Sequence, residues 1–364
     1  MKYIDEFRDN KIARSLIGQI KGAIDPGHDY IFMEVCGTHT MAVFKFGLKD
    51  MLPGNVKLLS GPGCPVCVTA DSYIDTAIEY ASQEGVAIAT FGDMLRVPGA
   101  KSSLEKERAK GADIRVVYSC LDAVKMAEEE PDKKVIFLGV GFETTAPTIA
   151  ASIIEAKSKG LKNFYVFSAH KTMPFALRAL LGDESLKLDG LMLPGHVSTI
   201  IGSRPYGFIA SEFGIPCSIT GFEPIDILDG ILKLVRQCQK RKADVEIQYD
   251  RVVHEEGNKK AQRVIEDVFE PCDVEWRGLG VIPNSGLKIR ESFSDFDSEK
   301  VFSVVPRKVR SGNKGCICAG VLRGAKTPLD CKLFKRECTP ENPKGACMVS
   351  SEGTCAAYYK YGKG

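Results

Sequence analysis

The stretch Val56-Lys57-Leu58-Leu59-Ser60-Gly61-Pro62-Gly63-Cys64-Pro65-Val66-Cys67 decides how the rest of the chain is read. A short apolar, strand-like run enters a turn made of two glycines and two prolines. Gly61 and Gly63 let the backbone turn tightly, and Pro62 and Pro65 stiffen it. A helical pattern over residues 72–80 follows. Strand, turn and helix in this order make a βα unit, and a Cys-x-x-Cys pair at its turn is a redox or metal motif. The positive end of the following helix favours a thiolate at Cys64. The competing reading is a pair of small buried residues, and Cys-Pro-x-Cys seldom serves as mere packing.

The same plan recurs on both sides of this unit. Residues 30–35 read as a strand ending at Cys36-Gly37-Thr38-His39-Thr40, with a helix starting at Met41. Residues 86–90 end at Phe91-Gly92-Asp93, and residues 114–118 end at Ser119-Cys120 ahead of a helix over 121–130. Four more strands follow. They end at Gly139-Val140-Gly141-Phe142-Glu143-Thr144-Thr145, at Ser168-Ala169-His170-Lys171, at Pro194-Gly195-His196 and at Gly221-Phe222-Glu223. Strands alternating with helices imply parallel sheets. Residues 58–64 resemble 191–196, and residues 87–93 resemble 217–223. The pattern predicts an α/β protein with two similar four-stranded parallel-sheet domains around a cleft, over residues 26–125 and 126–221. Residues 1–25 and 222–364 are expected to form a third, mixed α/β domain. Its elements are a helix over 1–24 with Ile4, Phe7, Ile12, Leu16 and Ile20 on its apolar face, helices over 225–238 and 258–269, and a glycine-rich loop over 276–286.

Composition bounds the function. At 364 residues, two or three domains are expected. With 44% hydrophobic and 26% charged residues the chain reads as a soluble globular protein. A net charge of +2 gives no field for nucleic acid or a membrane surface. No apolar run reaches spanning length, and the N-terminus has no secretory pattern, so a cytoplasmic protein is expected. Thirteen cysteines in such a chain point to metal or redox chemistry rather than a disulfide scaffold.

Ligands of parallel α/β sheets bind beyond the carboxyl ends of the strands. Cys36, Thr38, His39, Cys64, Cys67 and Asp93 fall there, and so do Glu143, Thr144, His170 and His196. Two chemistries remain open. Cys64 and Cys67 could cycle between dithiol and disulfide with Cys36 in reach. Alternatively, Cys36 and a neighbouring thiol could hold a soft metal, with His39 as ligand or base. The glycines at 139 and 141 lack the third glycine of a dinucleotide fingerprint. In the last fifty residues, Cys316, Cys331, Cys338 and Cys355 are irregularly spaced, with Cys318 and Cys347 between them. Such all-cysteine ligation suits an iron–sulfur cluster. Zinc is the alternative, and its usual paired knuckles are missing. Cys318 and Cys347 remain as a disulfide or as free thiols. Arg307-Lys308-Val309-Arg310 reads as a solvated face, and Cys120, Cys217, Cys238 and Cys272 as small buried residues.

Four motifs occur in one order: Cys36-Gly37-Thr38-His39-Thr40, residues 61–67, residues 141–148 and Gly195-His196-Val197-Ser198. Together with Trp276-Arg277-Gly278 and the C-terminal cysteines, they resemble the HypD family of hydrogenase maturation factors over essentially the whole chain. The resemblance implies a scaffold that works with the small chaperone HypC to assemble the Fe(CN)2CO group of [NiFe]-hydrogenases. Cyanide would arrive as a thiocyanate on HypE. It implies cleft thiols and iron ligands at Cys36, Cys64 and Cys67, with His39 orienting or protonating a thiol. It also implies a [4Fe-4S] cluster on Cys316, Cys331, Cys338 and Cys355, and an electron relay through Cys318 and Cys347. The free protein is expected to be a monomer. Readings from other classes are a cluster-dependent disulfide reductase and a zinc-stabilised interaction module.

Overall fold

The computed structural model describes residues 5–304 and 315–362. The basic run Arg307–Arg310 and the first turn of the expected N-terminal helix lie outside these residues. Eleven strands are described: β1 (Tyr30–Glu34), β2 (Val56–Ser60), β3 (Val86–Thr90), β4 (Asp113–Val116), β5 (Lys134–Gly139), β6 (Phe164–Ser168), β7 (Gly190–Pro194), β8 (Cys217–Thr220), β9 (Val245–Ile247), β10 (Phe269–Trp276) and β11 (Gly280–Ile289). Nine of them form two all-parallel sheets, in the orders β2-β1-β7-β8-β9 and β4-β3-β5-β6. Each strand is followed by a helix or a short helical turn, which covers the sheet faces and makes continuous apolar strands such as Val86–Thr90 possible.

The α/β class and the two parallel sheets agree with the sequence pattern, but the strands are shared out differently. The chain begins in the five-stranded sheet with β1 and β2. It crosses to the four-stranded sheet for β3 to β6 and returns for β7 to β9. A boundary near residue 125 therefore cuts through the second sheet. The likeness of residues 58–64 to 191–196 relates β2 and β7, which flank β1 in the same sheet, rather than two domains. Local sequence specifies a βα unit, whereas its neighbours are chosen by the core it joins. That core is continuous: Met33, Leu191 and Ile219 of one sheet and Ile88, Ile136 and Tyr165 of the other belong to one apolar cluster.

The segments expected to stand apart join the sheets. Helix Asn10–Ala23 starts at Asp9, whose carboxylate accepts from Lys11 N at 2.7 Å and Ile12 N at 3.2 Å. It buries Ala13, Leu16, Ile17 and Ile20, while Ile12 is exposed. Its partner is Pro224–Lys240, which begins with a Glu223/Asp226 capping box. Both pack with Phe32, Leu58 and Met192 of the five-stranded sheet. The expected glycine-rich loop is part of an antiparallel hairpin, β10–β11, with a register shift between Cys272 and Val274. The hairpin leans on the four-stranded sheet through Phe269, Leu287 and Ile289. Residues 315–362 have little regular structure beyond Cys318–Leu322 and Thr354–Tyr361. They dock across the ends of both sheets. Among the described residues no helix is long and apolar enough to cross a membrane.

Candidate functional site

Cys36 and the Cys64/Cys67 turn are brought together by the pairing of β1 with β2. The parallel register runs to Glu34 opposite Ser60. Beyond the strands the ladder continues: Gly61 N donates to Glu34 O at 2.8 Å and Gly37 N donates to Gly63 O at 2.9 Å. Gly63 lies so close that a Cβ there would stand 2.3 Å from Cys36 N and 2.4 Å from Cys36 Cα. This contact requires glycine.

The helix after β1 starts at Gly37, four residues earlier than the sequence pattern placed it, so Cys36 is its N-cap. Cys64 is the N-cap of the short helix Pro65–Val68 and accepts from Cys67 N at 3.2 Å. Cys64 and Cys67 are joined as a disulfide with Cα atoms 5.2 Å apart. All three sulfur residues are buried. Burial pushes the Cys36 thiol up to about 12, and the charge of Glu352 adds to this. The backbone N–H groups of Thr38 and His39 and the Thr38 hydroxyl oppose it, though none closes a capping hydrogen bond of good geometry. Cys36 is therefore a thiol until a cation joins it.

Glu352 is a site residue that the sequence did not reveal. Its Oε1 accepts from Thr38 Oγ1 at 2.6 Å, and burial holds its carboxyl above the usual range. Two residues earlier, Ser350 Oγ donates to Asp93 Oδ2 at 2.7 Å. One loop thus ties Thr38, after β1, to Asp93, after β3, across the gap between the sheets. In sequence, Ser350-Ser351-Glu352-Gly353 reads as a surface turn, and only its contacts distinguish it.

The histidines separate. His39 is fully buried, with Nε2 3.1 Å from Thr220 O and 3.0 Å from Gly221 O. Both partners are carbonyls, so Nε2 carries the proton and the buried, unpartnered Nδ1 is an acceptor. Burial lowers its pKa to about 4, which keeps the ring neutral. His39 stacks on Phe222, ring centroids 4.8 Å apart, and the more exposed His196 stacks on the same ring at 3.9 Å. Glu143 is buried after β5. Its Oε1 accepts from Met173 N at 2.8 Å, its Oε2 has no partner, and burial raises its pKa to about 7. Thr144 is half-buried beside it. Fully buried Tyr206 is within electrostatic reach of both Glu143 and Cys36. His170 lies elsewhere, on a separate cavity between β6 and the hairpin.

The C-terminal cysteines do converge. Cys316, Cys318, Cys331, Cys338, Cys347 and Cys355 line one pocket with apolar neighbours such as Phe334 and Met348. Cys318 Sγ and Cys347 Sγ are 2.8 Å apart. Hydrogen bonding to Cys318 raises the Cys316 thiol most, and at Cys318 a lowering bond to Cys316 is opposed by raising contact with Cys347. Burial and mutual repulsion add to both and hold Cys338 and Cys355 above their ordinary range. Cationic metal would relieve this repulsion. Among the described residues no group of three is arranged around a single metal ion. Thiols lining one apolar pocket are the donor set that a thiolate-bound metal centre would use.

Two contacts join this pocket to the Cys64/Cys67 turn. Cys67 Sγ lies 3.9 Å from Ala346 O, one residue from Cys347. Arg277, at the tip of the hairpin, donates through N to Val68 O at 2.8 Å and through Nε to Thr69 O at 3.0 Å, and it pairs with Asp71. Its Nη2 is buried without a partner, and its charge acts on Cys316, Cys318 and Cys347, drawing their thiols down. The next residue, Gly278, is packed against Ala319, where a Cβ would lie 2.7 Å from Ala319 Cα.

The arrangement spans the chain, and so do its likenesses. The HypD family model, described as the hydrogenase formation hypA family, matches residues 11–362. The hydrogenase maturation factor HypD of Azotobacter vinelandii is 50% identical over 372 residues, covering 100% of this chain and 97% of its own. Its counterpart in Cupriavidus necator is 46% identical over 371 residues, with 100% and 98% covered. A putative hydrogenase expression/formation protein of Methanocaldococcus jannaschii is 44% identical over 353 residues, with 97% and 98% covered. With the strand-end cysteines, the Trp276-Arg277-Gly278 tip and the cysteine-lined pocket in one continuous match, this chain belongs to the HypD family of hydrogenase formation proteins.

Proposed function

We propose that this chain serves [NiFe]-hydrogenase maturation as the scaffold and redox site on which, with HypC, the Fe(CN)2CO group is assembled. The observation that carries the reading is the succession of thiols: Cys36 beside Cys64 and Cys67, then Cys347 and Cys318, then the remaining C-terminal cysteines. The iron is cargo. Cys36 binds it as a thiolate, and the cation supplies what burial denies the free thiol. Glu352, bonded to Thr38 two residues from Cys36 and with its carboxyl raised above the usual range by burial, is placed to take the Cys36 proton.

In dithiol form, Cys64 and Cys67 supply two electrons for cyanide transfer. The S–C bond of the thiocyanate on HypE breaks, cyanide goes to the iron, and the HypE thiol leaves. Cys64 and Cys67 close to a disulfide and release their protons. Exchange with the Cys318/Cys347 dithiol then restores them. Cys316, Cys331, Cys338 and Cys355 would hold a [4Fe-4S] cluster, whose chemistry is the delivery of single electrons from an external donor. The burial of Cys64 and Cys67 speaks against general reduction of protein disulfides, which need an exposed attacking thiol.

The test is anaerobic co-purification with HypC, followed by iron analysis and infrared spectroscopy of bound cyanide and carbonyl. Cys36→Ala is expected to lose the iron and both bands. Loading at the wild-type level would remove Cys36 from the centre of the reading.

A further inference from the structure

The pocket shared by the six C-terminal cysteines is walled on one side by the loop over residues 331–338. The loop is tightly wound. Phe334 N donates to Cys331 O at 3.0 Å, Arg336 N to Leu333 O at 3.1 Å and Cys338 N to Leu333 O at 2.9 Å. This winding sorts the side chains: Cys331, Leu333, Phe334 and Cys338 line the pocket, while Lys332, Lys335 and Arg336 are exposed. Lys335 sits in the left-handed region at φ 59°, with its Nζ 5.8 Å from the centroid of the Phe334 ring. Among the described residues none of the three cations has a carboxylate partner.

These cations belong to a local excess. Residues 323–344 carry six Lys and Arg against three Asp and Glu, whereas the whole chain carries 49 against 47. The excess in this stretch is larger than that of the entire chain. Of its acids, Asp330 is turned onto its own backbone, where Oδ2 accepts from Thr327 N at 2.7 Å and from Thr327 Oγ1 at 3.0 Å. Exposed Arg96, from the turn after β3, donates to Pro340 O at 2.9 Å and brings a further cation to the same side. Leu329, 63% exposed, stands two residues before Cys331, which is itself only partly buried. The outer wall of the cysteine pocket is therefore basic, with an apolar anchor beside it. Exposed Glu337 and Glu341 interrupt the cations, which suits the mixed surface of a protein better than a uniform polyanion.

We propose that this face docks a small acidic one-electron carrier protein, which Lys332, Lys335 and Arg336 hold over Cys331 and Cys338. The proposal rests on the reading of these cysteines as a redox centre and adds where its electrons enter. Charges of one sign around such a pocket steer an oppositely charged carrier to it. In each encounter the carrier is oxidised by one electron and the centre on the cysteines is reduced by one, with no bond made or broken. Two encounters, with two protons from solvent, return an oxidised Cys318/Cys347 pair to the dithiol.

The test uses the full-length protein isolated without air, with an acidic ferredoxin as the probe. Binding is read by calorimetry, and electron transfer by the absorbance of the prereduced ferredoxin. Saturable binding is expected, weakening about tenfold between about 50 and about 200 mM salt. The variant Lys332→Glu/Lys335→Glu/Arg336→Glu should bind at least about tenfold more weakly and accept electrons correspondingly more slowly. Dithionite, which needs no docking face, should reduce it as it reduces the wild type. If the triple variant does not fold, Lys332→Glu and Arg336→Glu decide singly, each with an expected loss of about twofold. Absence of ferredoxin binding, binding unaffected by these substitutions, or equally tight binding of heparin overturns the proposal. A wild-type centre that dithionite reduces and ferredoxin does not removes the docking face alone and leaves the reading of the cysteines standing. Cysteines that hold no reducible centre remove that reading and the proposal with it.

Discussion

Replacing Gly63 by alanine tests the contact on which the thiol site is built. The added methyl would lie 2.3 Å from Cys36 N, 2.4 Å from Cys36 Cα and 2.5 Å from the Val35 carbonyl carbon. All three atoms are backbone and cannot rotate away. β1 cannot retreat, because β7 holds its other edge and Val35 N donates to Met192 O at 3.2 Å. The turn itself must move, and it takes with it the bonds from Gly37 N to Gly63 O and from Gly61 N to Glu34 O. Overpacking costs about 1–3 kcal/mol. Two weakened backbone bonds add about 1 kcal/mol each. The sum, about 3–5 kcal/mol, is a large part of an ordinary folding stability of about 5–15 kcal/mol. Urea unfolding under anaerobic conditions should therefore show a clearly lower midpoint for Gly63→Ala. The same variant should lose iron retention with HypC, since Cys36 and Cys64 are pushed apart. Gly18→Ala is the control, because nothing lies within 4 Å of a Cβ there and it sits inside a helix. It should be neutral or stabilising by up to about 1 kcal/mol. A Gly63→Ala protein with the wild-type midpoint and wild-type iron retention would refute the reasoning.

Arg277→Met removes a cation that pairs with Asp71 at side-chain exposures of only 12% and 13%. Stability should fall by about 3–5 kcal/mol through the stranded carboxylate. The midpoint potential of the C-terminal thiols should also become more negative, by about 30 mV for each 1.4 kcal/mol of lost charge stabilisation. An unchanged potential would show that Arg277 only braces the fold. Glu143 gives a pH signature. Its carboxyl keeps its proton in the folded chain up to about pH 7 but ionises near 4.5 when unfolded. Between these values the unfolded chain binds fewer protons, so stability falls as pH rises, by on the order of 3 kcal/mol. Relative to wild type, Glu143→Gln should therefore gain stability as pH rises from 4.5 to 7, read by chemical denaturation at a series of pH values. Over an overlapping range His39 and His170, lowered to about 4 and about 3, act in the opposite direction, and their contribution to stability is lost as pH falls below 6.5. That loss should survive in Glu143→Gln. A slope identical to wild type between pH 4.5 and 7 would mean that Glu143 is ionised in the folded chain.

The strands and their chemistry-bearing ends could be read from sequence because both are local. Apolar runs of five residues closed by glycine, proline or a small polar residue are specified within one βα unit. That is enough to place Cys36, Cys64, Asp93, Glu143 and His196 at carboxyl ends. Which sheet a strand joins is not local. β3 follows β2 after two helices, Pro65–Val68 and Asp71–Ala81, yet pairs with β4 and β5, and nothing in the two strands' apolar pattern says which sheet each joins. The helix start at Gly37 was hidden for a related reason. Gly37-Thr38-His39-Thr40 has weak helix propensity, and the helix is held by Gly37 N on Gly63 O and by His39 on β8, both contacts from elsewhere in the chain. His170 shows the limit of arguing from strand ends. It meets the rule, but β10–β11 separates it from the thiols and gives it a cavity of its own.

The crossing of the chain between its sheets bears on how the thiols are kept in place. Two domains of consecutive sequence would be joined by one linker and could open about it. Here the chain passes from one sheet to the other after β2 and back again after β6, and a single apolar cluster runs between them. Opening the sheets would break that cluster, and the spacing of Cys36 from Cys64 is in any case fixed within one sheet by the pairing of β1 with β2 rather than by a hinge. The C-terminal segment joins the same cluster through Leu322, Ala346, Cys347 and Val349, and adds side-chain bonds such as Thr38 to Glu352 and Ser350 to Asp93 and a tilted ring contact of Tyr358 with Phe44, centroids 4.2 Å apart. Each such side-chain contact adds about 1 kcal/mol to that burial. Of the two connections the thiol succession depends on, the one between Cys36 and Cys64 is therefore stiff. The one between Cys67 and Cys347 rests on the same cluster, and the Arg277 tip, bonded to the Cys64/Cys67 turn and packed on Ala319, adds a polar tie to it.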